Sequence, residues 1–145
     1  MKTTEISAAL ALTIGICQGL EIACAGPDRH TIGALAQLVE KTTAPVLTTI
    51  TARMNEHEIL QTAVRIDPII FRISEGRDFP WVDCIGLSVA LMADFMRDSH
   101  TDHETRLAIG AALDHLGWLH RWMATSPEYM ARDPTMGRQW QALMN

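Results

Sequence analysis

The sequence predicts a mainly α-helical domain with one small antiparallel β-hairpin. Apolar residues recur at three- and four-residue spacing over most of the chain, while the stretch around Asp67-Pro68 alternates with a period of two. Hydrophobic residues make up 48% of the 145 and charged residues 20%, enough for one sizeable core without cross-links. An all-α helical bundle is the alternative, because Ile59, Leu60, Ala63 and Val64 also fit turns of a helix.

A first helix is expected over about 4–24, with Ile6, Leu10, Cys17, Leu20 and Cys24 at helical spacing and Ser7 and Gln18 opposite. Residues 6–17 also have the look of a secretory signal ahead of Ala23-Cys24-Ala25. Glu5, Gln18 and Glu21 favour a retained helix instead, too short and interrupted to cross a bilayer. Gly26-Pro27 ends it.

A short helix follows over 31–41, capped by Asp28 or Thr31, with Ile32, Leu35, Ala36 and Val39 as its stripe. A break at Thr42-Thr43 opens a third helix, with Pro45 in its first turn and Val46, Leu47, Ile50 and Met54 facing inward. Leu60, Thr62, Val64 and Ile66, then Ile69, Phe71 and Ile73, alternate on either side of Asp67-Pro68 and read as the two strands of the hairpin. A fourth helix over about 81–98 is apolar on most sides and so central. Thr101-Asp102-His103-Glu104 has the form of a capping box and opens a fifth. A last short helix ends at Asn145.

Twelve Lys and Arg against seventeen Asp and Glu give a net charge of −5, which excludes a generically basic nucleic-acid binder but not a local basic surface. Three cysteines without a C-x-x-C argue against a disulfide framework or a structural zinc site, and a reducing cytoplasm is the expected location. His115 and His120 are five residues apart and cannot chelate from one helix face; His100 and His103 straddle a helix start. No nucleophile elbow, P-loop or dinucleotide motif is present. The expectation is therefore no enzyme, no metal and no cofactor.

Helix, short helix, break, helix, hairpin, helix is the order over residues 4–80, centred on TIGALAQLVEKTTAPVLTTITARMNEHEIL. This order resembles the winged helix-turn-helix of bacterial transcription regulators, both the multiple-antibiotic-resistance type and the repressors that sense iron–sulfur clusters or nitric oxide. The resemblance rests on Leu35-Ala36 in the short helix and on Val46, Ile50 and Met54 in the next. It implies a winged-helix-like domain over 1–80 and a C-terminal dimerisation region over 81–145, packed as one unit. The family's clusters are held by several cysteines after the wing; only Cys84 stands there, so no cluster is implied.

Double-stranded DNA and a second copy of the chain are the partners this implies. The reading helix would span about 44–56 and the wing about 58–74. Thr42, Thr43, Thr48, Thr49 and Thr51 offer hydroxyls and methyls for base edges and phosphates, and Arg53 a phosphate contact. Arg65 and Arg72 share the wing's outer face by parity. Residues 26–80 nevertheless carry six Lys or Arg against seven Asp or Glu, a thin supply for phosphate contacts. The dimer interface is expected at Leu10 and Ile14 of the first helix and Trp118 and Trp122 of the fifth. A seam between Ile16, Cys17 and Leu20 and Cys84, Ser88 and Met92 would suit a ligand or a thiol switch. The alternative function is an acidic helical module that binds a protein partner without catalysis.

Overall fold

The computed structural model describes residues 3–73, 79–98, 101–126 and residue 129. These form five helices and, among the described residues, no strand: α1 (Thr3–Ala23), α2 (Arg29–Thr51), α3 (Glu56–Ile73), α4 (Trp81–Arg97) and α5 (His103–Ala124). The all-α alternative is the architecture found. The final short helix and Trp140, His100, and Glu75-Gly76 of the expected loop lie outside the described residues.

Cross-helix contacts fix the directions. Gln18 meets Glu40, and Gly33 faces Cys24, so α2 runs antiparallel to α1. Thr42 meets His115 and Arg53 meets Asp102, so α5 runs antiparallel to α2. Met96 packs at Gly110 and His120 at Gly86, so α4 is antiparallel to α5. Thr13 meets Ser88 while Trp81 packs at Gly19, which makes α4 antiparallel to α1 as well. Thus α1, α2, α5 and α4 close a four-helix ring of antiparallel neighbours. α3 lies outside the ring, packed on α1 and parallel to it, with Ser7 beside Thr62 and Gly15 beside Ile70.

Three neighbours explain why α1 is apolar all round. It is long and apolar enough to cross a membrane by length and composition, contrary to the sequence expectation, yet half of it is buried against α2, α3 and α4. Ser7, Thr13 and Ser88 are buried with it, and each is satisfied. The Ser7 and Thr62 hydroxyls pair at 3.1 Å; Thr13 Oγ1 donates to the Ala9 carbonyl at 2.8 Å and to Ser88 Oγ at 3.3 Å. Ser88 Oγ thus accepts from Thr13 of another helix.

Two breaks and the hairpin need correction. α2 runs through Thr42-Thr43 because its buried residues Ile32, Ala36, Val39, Thr43, Val46 and Ile50 keep one uninterrupted stripe. Pro45 therefore sits inside a helix rather than in a first turn, exposed, where water can serve the carbonyl one turn back. Residues 58–73 are helix, not a wing: Thr62, Ile66, Ile69, Ile70 and Ile73 all face the core from α3. The start of α3 is fixed by a reciprocal box. The Glu58 amide donates to Asn55 Oδ1 at 2.9 Å, and the Asn55 amide donates to Glu58 Oε1 at 3.2 Å. Pro68, like Pro45, faces solvent. On α5 the cap is Asp102, one residue later than expected; its carboxylate accepts from the Thr105 amide at 2.7 Å.

Candidate interaction surfaces

The residues expected to touch DNA do not share a prepared face. Thr43 is fully buried, and its Oγ1 has no hydrogen-bond partner among the described residues. The other α2 threonines expected at DNA bond to their own helix: Thr42 donates to the Leu38 carbonyl, Thr48 to Ala44, Thr49 to Pro45 and Thr51 to Leu47, all within 3.0 Å, and Thr42 also meets His115 of α5. Arg53 is engaged across the bundle end, its Nη1 donating to Asp102 Oδ2 at 3.2 Å. Arg65 and Arg72 lie half-buried on α3, seven residues apart on one helix rather than on paired strands.

Arg53 and Asp102 tie the end of α2 to the start of α5. Hydrogen bonds from Thr105 first, then from Arg53, hold the Asp102 carboxyl down at about 2. At the other end, Glu21 and Glu40 meet across α1 and α2. Burial first, then the hydrogen bond and charge of Glu40, raise the Glu21 pKa, and Lys41 opposes them. Gln18 Nε2 donates to Glu40 Oε1 at 3.1 Å.

The expected seam between α1 and α4 is filled. Ile16, Cys17, Leu20, Cys84 and Met92 are fully buried and Ser88 nearly so. Burial first, then Glu21 and Glu40, push the Cys17 thiol far above the ordinary thiol range. Among the described residues no three His, Cys, Asp or Glu side chains come together as a metal site. Of the dimer residues expected, Leu10 is fully buried inside the bundle and beyond the reach of a second subunit, and Ile14 is half-buried. Trp118 and Trp122 are exposed, at 55% and 38%.

Besides single residues such as Ile22 and Leu38, the bundle presents groups of exposed apolar side chains on two helices. On α3, Leu60, Val64 and Phe71 are 62%, 63% and 76% exposed and fall within about 40° of one another around the axis at 100° per residue. Asp67 and Pro68 stand beside them and form a shallow groove with Ile70 and Phe71. On α5, Trp118, Arg121, Trp122 and Thr125 line a cleft of about 270 Å³, with the Arg121 guanidinium 5.6 Å from the centre of the Trp118 ring. The sequence reading found the two tryptophans and missed α3's outer stripe, whose residues it had assigned to a strand.

No family model matches the chain, and neither the curated proteins nor the solved structures gave a match.

Proposed function

We propose that this chain is a non-catalytic helical interaction module that docks a protein partner on the outer face of α3. The stripe Leu60–Val64–Phe71 carries the reading. Large apolar side chains scattered singly on a surface are ordinary, whereas three on one stripe beside a groove, interrupted only by Asp67 and flanked by Pro68, mark a docking face. Covering them stabilises a complex by about 1–2 kcal/mol each, given their present exposure. The partner side is expected to offer apolar side chains at helical spacing, as in helix-on-helix docking. The acidic balance of the chain favours a partner with basic residues around that apolar stripe.

The DNA-binding reading draws less support. It needs a separate reading helix and a wing, whereas α2 is continuous, residues 58–73 are helical, and the α2 hydroxyls bond to their own backbone.

A photo-crosslinker placed at Val64 tests the proposal, with one at Gln37, on exposed α2 surface, as control. One discrete protein adduct is expected from position 64, none from 37, and its loss when Phe71→Asp is added. Absence of any adduct from position 64 would count against the module. So would salt-dependent binding to duplex DNA that weakens in Arg65→Ala, which would return the regulator reading to first place.

A further inference from the structure

α5 carries two heptad-spaced stripes on opposite sides. The inner one, Thr105, Ile109, Ala112, Leu116, Leu119 and Met123, is buried in the bundle. The outer one steps by three and four through Glu104, Leu107, Ala111, Asp114, Trp118 and Arg121, every one exposed. A bundle helix needs only the inner stripe. The second stripe, about 26 Å long at 1.5 Å per residue, sets Leu107 and Trp118, both largely exposed, with Ala111 between charged ends, a face on which another helix can pack.

We infer that the occupant of this face is a second copy of the chain, with the two α5 helices antiparallel about a two-fold axis level with Ala112 and Leu113. In that register the two ends of the stripe are complementary, and one Asp114 from each copy stands beside the axis with the small Ala111 opposite it. Glu104 stands opposite the other copy's Arg121, Leu107 opposite Trp118, and Ala111 opposite Asp114; the axis repeats each pair. The acidic residue lies in the first turn of α5 and the basic one in its last, so antiparallel pairing joins unlike charges at both ends, while parallel pairing would stack like on like.

Shape agrees with charge. Leu107, 63% exposed, comes level with the cleft that Trp118, Arg121, Trp122 and Thr125 form, a concavity wide enough for an isobutyl group. The small Ala111 allows the close approach of the helices near the axis. Leu38 of α2 is 45% exposed, and the antiparallel register of α2 with α5 sets it level with Trp118, which widens the apolar patch on the same side. The pairing leaves α3 outside the interface, so it is independent of the partner-binding role proposed for that helix.

Sedimentation velocity on the full chain over a range of concentrations tests the inference, with circular dichroism as a check on folding. A reversible dimer of the 16.1 kDa chain is expected. Leu107→Asp or Trp118→Asp, both at exposed positions, should raise the dissociation constant at least tenfold. Glu104→Arg alone and Arg121→Glu alone should each weaken the dimer several-fold, and the two together should restore it to within about threefold of the wild type. A wild-type chain that stays monomeric overturns the inference. A dimer insensitive to Leu107→Asp and Trp118→Asp does so too, including one that is instead lost in Val64→Asp.

Discussion

Gly19 of α1 lies directly beneath Ile73 of α3. A Cβ there would overlap Ile73 Cγ2 and stand 3.1 Å from Trp81 Cη2, so this glycine is what lets α3 and the start of α4 close on α1. Gly15, one turn earlier, faces only the flexible end of Ile70 at 2.6 Å and an Ile73 methyl at 3.8 Å. Gly19→Ala is therefore expected to destabilise the fold by about 1–3 kcal/mol, and Gly15→Ala by less, since the Ile70 tip can rotate aside. Urea unfolding of the two variants checks the order; equal losses would mean that the packing at Gly19 is not as described.

The box between Asn55 and Glu58 sets where α3 begins. Asn55→Ala removes the acceptor for the Glu58 amide and should cost about 1 kcal/mol. The loss should appear as faster hydrogen exchange in the first turn of α3, with α5 unchanged. Uniform acceleration across the bundle would instead mark the box as part of the global core.

Asp102 makes stability depend on acid. Its folded pKa of about 2 lies below the unfolded value of 3.8, so its contribution is complete above that value and is lost as the pH falls through 2. The carboxylate is half-exposed, which keeps the effect below about 1 kcal/mol. The wild type should exceed Asp102→Asn in stability above about pH 4, with the difference closing towards pH 2. A difference that persists unchanged at pH 2 would show that charge is not the origin.

The thiols should divide by burial. Cys24 is half-buried, whereas Cys17 and Cys84 are fully enclosed. A maleimide is expected to label Cys24 under native conditions and all three cysteines after denaturation. Native labelling of Cys17 as fast as Cys24 would reopen the thiol switch between α1 and α4.

The helical character of the chain was legible, and it was misread in two places, each for its own reason. On a helix, residues two apart point in nearly opposite directions. Leu60 and Val64 face outward while Thr62 and Ile66 face α1, so a helix with apolar residues on both faces imitates the alternation of a strand. The cue that separates the two was present, since Asn55 precedes Glu58 by three residues directly before the apolar run. Likewise the stripe from Ile32 to Ile50 crosses Thr42-Thr43 without losing phase, which outweighs the threonines and Pro45 as signs of a break. Trp118 and Trp122 were interface candidates by residue type alone, since their four-residue spacing fits core packing equally well. Leu10 was not recognisable as core, because only the packing of the neighbouring helices around α1 shows which of its apolar residues are enclosed.

A single phenol closes the bundle at the turn between α1 and α2. Tyr129 Oη accepts from the Ala25 amide at 2.8 Å and donates to the Ala25 carbonyl at 3.1 Å, across 104 residues of chain. Both polar groups of one residue thus meet one distant side chain. The Ala25 amide is consequently a built-in gauge of whether Tyr129 is seated. Its exchange with solvent counts the openings of that clasp, while the amides inside α1 and α2 count the unfolding of the whole.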